Sequence, residues 1–329
     1  MRASQRVTSA DVARVAVVSR TTVSYILNNT GNQAISGATR ERVLRAAAEL
    51  NYVPHASARI LRRGRSDIVI FLMPNWPIGP TIARLMDRLG RRLDDHGLTM
   101  VSRTHLDERS LLGLWQAITP AAVVRMGSLG AALDAELRRA GASVLVEVDD
   151  HDAGLGAVSL PDVRGGRMQA EHLAATGHRR LGYALPDEPA LRVFWESRLD
   201  GVRLACTDLG LDLPVAAETS FDPDVTTAAL RTWQEAGVTG VCAYNDEVAM
   251  CILSAARRGG YRLPDDLAVI GFDDIPTAAL AAPPLTTISL DYEAFAEVIT
   301  SHVLSGLGSD DPVLRVDSSR LELVVRDSA

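Results

Sequence analysis

The first fifty residues carry short apolar faces at helical spacing, separated by polar stretches. Three such faces follow one another: Val12, Ala13 and Ala16; Val23, Ile26 and Leu27; Val43, Ala47 and Leu50. The start signals are a capping-box pair at Thr8 and Asp11, an N-cap at Ser19 and a third start near Ser36. Pro54 ends the third helix, because proline disfavours helix at the residue before it. Three short helices, the first two separated by a tight turn, predict a helix-turn-helix unit.

From Asp67 onward, short β-rich runs alternate with helical stretches. Seven runs predict strands: IVIFLMP, LTMVSR, AAVVRMG, SVLVEVD, LGYALP, GVCAYND and LAVIGFDD. Strands that alternate with helices at this spacing predict parallel sheets of the doubly wound type. Because these strands are too many for one sheet, we predict two α/β lobes within residues 67–329.

The distribution of charge separates the same two parts of the chain. Residues 1–66 contain eleven arginines against Asp11, Glu41 and Glu49, whereas the whole chain of 329 residues has a net charge of −7. A basic module on an acidic body is typical of nucleic-acid-binding proteins, although a basic face can also simply solvate a helix. In a helix-turn-helix unit the second helix enters the major groove, which explains why SRTTVSYILNN is polar on its outward side.

Several other classes of protein find little support in the sequence. Apolar runs such as Ile68–Pro74 are far shorter than the ~20 residues of a membrane span, and no signal-peptide pattern follows Met1, so we expect a cytoplasmic protein with no membrane partner. No G-x-G-x-x-G follows a strand, and neither a Walker lysine loop nor G-x-S-x-G is present, so we expect no enzyme and no cofactor. Cys206, Cys242 and Cys251 form no metal-binding pattern, and no metal site is expected.

Residues 7–62 resemble the DNA-binding headpiece of the LacI/GalR family of bacterial repressors. The resemblance rests on VTSADVARVAVVSRTTVSYILNN and ISGATRERVLRAAAELNYVPHASARILR, in the family's order and without a gap. It implies an all-α helix-turn-helix DNA-binding domain over residues 1–53 and a hinge helix or linker over residues 54–66. One position departs from the family, because Val17 stands where the turn usually has glycine. A β-branched residue is strained in the left-handed region, so we expect the turn to adjust locally.

The resemblance also implies which side chains contact DNA. Arg20, Thr21 and Tyr25 take the positions that read base edges, and an arginine there can hold a guanine through two hydrogen bonds. Five further side chains are implied phosphate contacts, which position the protein without specifying sequence: Arg6, Ser19, Thr22, Ser24 and Asn28. In the hinge, Leu61 is implied as a wedge in the minor groove, with Arg59 along the phosphates.

Residues 67–329 resemble the effector-binding core of the same family, a two-lobed α/β fold of doubly wound parallel sheets like that of periplasmic sugar-binding proteins. The phrases that carry this resemblance include DVRGGRMQAEHLAATGHRRLGYA, AYNDEVAM and LPDDLAVIGFDD. It implies an N-lobe of about 67–160 and 290–317, a C-lobe of about 161–289 and 318–329, and crossover strands near 159–163, 287–291 and 316–320.

Ligands of two-lobed folds bind at the carboxyl ends of the strands, in the cleft. The resemblance carries seven effector-binding residues over to that cleft: Arg198, Asp273, Asn245, Asp246, Phe221, Arg192 and Trp76. An arginine, carboxylates and an aromatic ring suit a polyhydroxylated ligand, so a sugar is the predicted effector and a nucleoside or purine is the alternative. For Asp246, capping of the following helix is an equally good interpretation.

Three functions account for different parts of this pattern. A ligand-responsive transcriptional repressor explains both the basic front and the acidic core. A solute-binding protein of a transporter explains only the core, and a nucleotide-dependent enzyme explains neither. We therefore predict a regulator that binds pseudo-palindromic double-stranded operator DNA as a homodimer. Because no heptad repeat precedes the end of the chain at Ala329, we expect a dimer and not a tetramer built by a C-terminal coiled coil.

Overall fold

The computed structural model of this protein describes residues 7–27, 35–50, 52, 65–73, 78–104, 113–115, 117–127, 131–139, 144–149, 157–315 and 320–329. Contacts between residues divide the chain into two compact units, Met1–Ser66 and Asp67–Ala329. No helix in the described part of the chain is long and apolar enough to cross a membrane.

The first unit contains helices α1 (Ser9–Ala16), α2 (Arg20–Leu27) and α3 (Gly37–Glu49). The amide and the hydroxyl of Thr8 both donate to the Asp11 carboxylate, at 3.0 and 2.7 Å. Ser19 Oγ accepts the Thr22 amide at 3.0 Å, and Ser36 Oγ accepts the Thr39 amide at 3.3 Å. At the start of each helix a side chain therefore accepts a backbone amide that has no partner within the helix: Asp11 accepts that of Thr8, Ser19 that of Thr22 and Ser36 that of Thr39. The three predicted helix starts are confirmed.

The turn between α1 and α2 corrects the expectation for Val17. Val17 keeps the left-handed conformation, with φ 55° and ψ 52°, and its N–H donates to the Ala13 carbonyl. The side chain is 83% exposed, so it meets no packed neighbour. The left-handed region costs a non-glycine residue about 1–2 kcal/mol, and the helix-capping hydrogen bond together with the packing of α1 on α2 offsets that cost. The turn therefore keeps the geometry that a glycine would give it.

The second unit contains two sheets. The first has the order β2-β1-β3-β4-β5, and its described pairings are all parallel. Its strands are β1 (Ile68–Leu72), β2 (Thr99–Arg103), β3 (Ala122–Met126), β4 (Leu145–Asp149) and β5 (Ala157–Ser159). The second has the order β11-β10-β9-β8-β6-β7, and only β11 pairs antiparallel within its described pairings. Its strands are β6 (Leu181–Pro186), β7 (Val215–Thr219), β8 (Gly240–Ala243), β9 (Ala268–Phe272), β10 (Thr286–Leu290) and β11 (Leu321–Val324).

Helices flank both sheets. They are α4 (Pro80–Asp95), α5 (Ala131–Arg139), α6 (Asp162–Ala175), α7 (Arg192–Asp208), α8 (Pro223–Glu235), α9 (Asp246–Arg258) and α10 (Tyr292–Gly306). We define the N-lobe as the first sheet with α4, α5 and α10, because α10 packs on α4, β3 and β4, and the C-lobe as the second sheet with α6–α9. The seven predicted strands are present, and the fold class of parallel doubly wound sheets is confirmed.

The chain passes between the lobes at short connections. It leaves the N-lobe after Ser159 and begins α6 of the C-lobe at Asp162; it returns between Leu290 and Tyr292. A third passage, between α10 and β11, includes residues outside the described part of the chain. β10 ends at Leu290, beside Leu321 at the start of the antiparallel β11, and α10 begins at Tyr292. The second connection therefore joins the carboxyl end of β10 directly to α10 of the N-lobe.

Two glycines bring α6 and α7 into backbone contact. A Cβ on Gly166 would lie 1.9 Å from the Arg198 carbonyl oxygen, and a Cβ on Gly201 would lie 2.0 Å from the Val163 carbonyl oxygen. Real Cβ atoms do not approach backbone so closely, so only glycine allows this packing. The close approach matters for the site, because it fixes the position of Arg198 relative to Asp162.

Candidate functional site

A cavity of about 180 Å³ lies between the two lobes of the core. The N-lobe contributes Thr81 from the first turn of α4 and Tyr292 from the first turn of α10. The C-lobe contributes residues that follow its strands, among them Asp273 after β9 and Asn245 after β8. This is the place where parallel α/β folds bind ligands, because side chains from several strand ends converge there.

Arg198 lines the cavity and is 8% exposed. Its Nε donates to Asp162 Oδ1 at 2.7 Å, and its Nη1 donates to the Tyr244 carbonyl oxygen at 2.7 Å. The guanidinium also stacks on two rings, 3.7 Å from the centroid of Phe272 and 4.8 Å from that of Tyr244. Burial lowers the pKa of Arg198, but the neighbouring Asp162 and Asp273 raise the pKa above the ordinary value, so the side chain stays charged.

Asp273 stands in the left-handed region immediately after β9, with φ 109°. Its amide donates to the Ile288 carbonyl at 2.7 Å, and Tyr292 donates its hydroxyl to Asp273 Oδ1 at 3.1 Å. Burial raises the pKa of the Asp273 carboxyl above its usual value, although Arg198 opposes the shift. A non-glycine residue in this region costs energy, and such strain concentrates where a side chain must point at a ligand.

Two further predicted residues line the cavity. Asn245 is half-buried, and its Oδ1 also accepts the Val248 amide at 2.9 Å, so it caps α9. Phe221 is 79% exposed and lies at the edge of the cavity, where its ring is free to meet a ligand.

Two predicted effector contacts lie outside the cavity, and we correct their roles. Asp246 is fully buried; Oδ2 accepts the Ile275 amide at 2.8 Å and Oδ1 accepts the Thr287 hydroxyl at 2.6 Å. Asp246 therefore connects the segment after β9 to β10 through two hydrogen bonds. Burial raises the pKa of the Asp246 carboxyl to about 7. Arg192 is exposed and pairs with Glu196 at 3.1 Å on its own helix. Trp76 lies outside the described residues.

The stretch DVRGGRMQ at the start of α6 supplies residues of the site that were not among the predicted effector contacts. Asp162 pairs with Arg198, Gln169 Nε2 donates to the Ala243 and Gly271 carbonyls at 2.9 Å, and a Cβ on Gly165 would lie 2.1 Å from the Phe272 ring. These positions recur at helical spacing, so one face of α6 is buried although it is polar. The sequence signal for this buried face is the spacing of Asp162, Gly165 and Gln169 at positions i, i+3 and i+7 of the helix.

The predicted DNA-contacting residues of α2 occupy its outer side. Arg20 and Thr21 are exposed, and Tyr25 is half-buried, whereas Val23 and Ile26 point into the core of the unit. The Ser19 hydroxyl is 2.8 Å from the Thr22 hydroxyl, so both are already used in capping the helix. Ser24 is half-buried on the same helix. Arg6, Asn28, Arg59 and Leu61 lie outside the described residues.

In the described part of the chain, no group of three or more His, Cys, Asp or Glu side chains is arranged to hold a metal ion. The site chemistry that the structure shows is therefore that of charged hydrogen bonds and aromatic rings.

Comparison with known proteins agrees with this arrangement. Residues 8–55 match the model of bacterial regulatory proteins of the lacI family, and residues 170–329 match a periplasmic binding protein-like domain. The HTH-type transcriptional regulator CelR of Thermobifida fusca is 32% identical over 293 residues, which cover 84% of this chain and 85% of CelR. The chain belongs to the LacI family of bacterial regulatory proteins. As a LacI-family protein it is a helix-turn-helix transcriptional regulator that binds DNA.

Solved structures share the whole fold of this LacI-family chain. The lac repressor dimer bound to operator and the anti-inducer ONPF superimposes with a TM-score of 0.81 over 98% of this chain and 99% of the repressor, at 23% identity. The CelR–cellobiose complex has a TM-score of 0.68 over 98% of this chain and 100% of CelR, at 27% identity.

Proposed function

We propose that this regulator is a repressor whose affinity for operator DNA is controlled by a sugar bound between the two lobes of its core. The observation that carries the proposal is the cavity in which the Arg198–Asp162 pair, the Asp273 carboxylate and several aromatic rings converge. Carboxylates accept hydrogen bonds from vicinal hydroxyls, and rings cover the apolar face of a sugar. The CelR–cellobiose complex, a structure of similar fold, supports this choice of ligand class.

Such a ligand can control DNA binding only if it favours one arrangement of the lobes. The cavity wall includes Thr81 and Tyr292 of the N-lobe and Asp273 of the C-lobe, so a bound sugar would contact both lobes at once. A ligand that binds two arrangements with different affinity shifts their equilibrium, and operator affinity changes by the same coupling factor.

The proposal includes a homodimer on a pseudo-palindromic operator. One helix-turn-helix unit reads one half-site, so a two-fold dimer matches a site of two-fold symmetry. In it α2 enters the major groove, Leu61 enters the minor groove at the operator centre and Arg59 lies along the phosphates, as the family resemblance implies. The function involves no catalytic step and is exerted in the cytoplasm, where bacterial DNA lies.

Arg20→Ala is expected to weaken operator binding by about 1–3 kcal/mol and to relax the preference at one base pair per half-site. The reason is that Arg20 is exposed at the first turn of α2 and can reach a guanine edge. The measurement is a titration of full-length protein with an operator and its single-base variants at several salt concentrations. Arg45→Ala on α3, which removes an exposed arginine, is the control and should leave base preference unchanged. Equal base preference for Arg20→Ala and wild type would contradict the assignment.

Asp273→Asn is expected to weaken sugar binding about tenfold to a hundredfold, because it removes the charge from a buried acceptor of the cavity. Operator affinity without sugar should stay near that of wild type, since the substitution is far from α2 in sequence and nearly isosteric. The test is an operator titration with and without each member of a panel of sugars and nucleosides. Asp265→Asn, an exposed carboxylate of the same lobe, is the control.

The outcomes of that panel separate the alternatives. Loss of the sugar response in Asp273→Asn, with the response kept in Asp265→Asn, supports the proposed site. A response to nucleosides and to no sugar would contradict the sugar effector and favour the purine or nucleoside alternative.

A further inference from the structure

The cavity is strongly acidic. Its described lining includes five carboxylates and a single guanidinium: Asp162, Asp187, Glu188, Glu247, Asp273 and Arg198. All five carboxylates belong to the C-lobe, and they approach the cavity from the start of α6 and from the ends of β6, β8 and β9. An excess of one sign of charge in a partly enclosed cavity selects ligands by their charge, because the low-dielectric walls strengthen the field.

The one guanidinium in this lining does not neutralise the excess. Arg198 already donates to Asp162 and to the Tyr244 carbonyl and is stacked between two rings. Arg84, further along α4, is not part of the lining; it donates to the Asp274 carbonyl at 3.2 Å and stands over the Tyr292 ring at 5.5 Å. An anionic group on a ligand would therefore find no uncommitted cation among the described lining residues.

Glu247 is the carboxylate of the lining that extends towards the N-lobe. It stands on the first turn of α9 and is half-buried, and within the described residues it has neither a hydrogen bond nor an ion pair. Its Oε2 lies 3.0 Å from the position of a Cβ on Gly79, so the carboxylate extends from the C-lobe to the beginning of α4. Burial raises the pKa of Glu247 above the usual value, as expected for a carboxylate without a cation beside it.

Asp187 lies on the same side of the cavity as Glu247. Glu247 and Cys251 are one helical turn apart on α9, and Asp187 follows β6, which is the neighbour of β8 in the sheet. Burial raises the pKa of the Cys251 thiol, and both carboxylates raise it further. Cys251 is itself part of the lining. Two carboxylates from different strand ends thus face one corner of the cavity.

A second observation points to a missing hydrogen-bond donor. Asp162 is 1% exposed and lines the cavity; its Oδ1 accepts from Arg198, but within the described residues no group donates to its Oδ2. Buried carboxylate oxygens are rarely left without a donor, because the lost hydration is costly. A ligand that brings donors, and few acceptors, into this cavity would satisfy Asp162 and the Asp187–Glu247 corner together.

We propose that the effector is an amino sugar, a polyhydroxylated ring with a protonated amine, and that Glu247 and Asp187 bind the ammonium group. The inference rests on the proposed function, which places a sugar in this cavity. An ammonium group supplies three donors and no acceptor and matches a corner of carboxylates, whereas a hydroxyl supplies one donor. A phosphate or carboxylate on the sugar would face like charge.

Matched sugar series test the proposal on the full-length protein. Three series are based on glucose, galactose and mannose, and each contains the neutral sugar, its amino analogue and its phosphate. Cellobiose and the glucosamine disaccharide form an additional pair without a phosphate. In the series that binds, calorimetric titration should show the amino sugar binding about tenfold to a hundredfold more tightly than the neutral one, with the phosphate weakest. The amino sugar should also be the compound that changes operator affinity.

Two glutamate variants test whether the carboxylates of Asp187 and Glu247 cause the preference for the amino sugar over the neutral sugar. Glu247→Gln should reduce the ratio of amino-sugar to neutral-sugar affinity about tenfold, since it keeps the shape and removes the charge. Glu218→Gln, an exposed glutamate on β7, should leave the ratio unchanged. Without ligand, Glu247→Gln should also raise the melting temperature, because a partly buried charge without a partner is removed.

The outcomes distinguish this inference from the function on which it rests. If a neutral sugar binds as tightly as its amino analogue, or if Glu247→Gln leaves the ratio unchanged, the amino-sugar inference is overturned and the sugar-controlled repressor stands. A lowered melting temperature in ligand-free Glu247→Gln would show that the protein itself satisfies this carboxylate, and it would overturn the inference as well. If nucleosides bind and no sugar does, the proposed function and this inference fail together.

Discussion

Arg198→Ala is expected to lower the free energy of unfolding of the core by about 3–5 kcal/mol, the usual cost of removing one partner of a buried ion pair. The variant leaves Asp162 buried without its cation and leaves the Tyr244 carbonyl without its donor. It also removes the group stacked between the Phe272 and Tyr244 rings. The measurement is urea unfolding of the full-length protein, followed by a probe of the core.

Arg203→Ala on the same helix is the matched control. Arg203 pairs with Asp200 at 2.8 Å, but both side chains are about half exposed, so the loss should be at most about 1 kcal/mol. Combining Arg198→Met with Asp162→Asn should recover much of the stability, since it removes the stranded charge. A change below about 1 kcal/mol for Arg198→Ala would contradict the buried-pair interpretation. Because Arg198 supports the fold in this way, Asp273→Asn is the cleaner test of effector binding.

Gly166→Ala is expected to destabilise the core by about 3 kcal/mol or more, through overpacking between α6 and α7. The added Cβ would stand 1.9 Å from the Arg198 carbonyl oxygen, and backbone atoms on both sides cannot rotate away. Separation of the two helices would also pull Arg198 from Asp162, so the sugar response should be lost at temperatures where the variant is still folded. Thermal unfolding and operator titration measure the two effects.

Gly90→Ala, in α4 of the N-lobe, is expected to stabilise the protein, in contrast to Gly166→Ala. Its Cβ would meet only the Met100 Cε, at 3.7 Å, which is ordinary contact. Replacing a helical glycine with alanine should then raise stability by up to about 1 kcal/mol. If both alanine variants had the same stability, the close backbone packing of α6 on α7 would be wrong.

The sequence determines local structure well in this protein. The capping residues Thr8, Ser19 and Ser36 lie within three residues of the amides or carboxylates that they bond, so each helix start is readable from neighbours in the chain. Six of the seven predicted strands contain β-branched residues, and the seventh, LGYALP, is a short apolar run that includes a tyrosine. By contrast β7, VAAET, went unpredicted, because alanines give no strand signal and the strand forms by pairing with β6 at the edge of its sheet.

The family resemblance placed Arg198, Asp273, Asn245 and Phe221 on the cavity, and the structure brings these four residues to its lining. It could not show that Arg198 is held by Asp162, 36 residues away, or that Tyr292 of the other lobe donates to Asp273. For Asp246, the spacing of a strand end and a helix start allowed both a ligand contact and a structural role. Only its burial against Thr287 decided between them.

What the sequence by itself determined is thus the helix-turn-helix unit, the doubly wound class of the core and the strand ends on which the site is built. These features depend on interactions between residues three or four positions apart, or on hydrophobic periodicity, and both can be recognised from the order of residues alone. Only the tertiary structure decided which polar groups meet, within a lobe or between the lobes, and which carboxylates have no partner among the described residues. Those contacts join residues from 19 to more than 100 positions apart, and their distances depend on how close α6 and α7 pack and where the chain crosses between lobes.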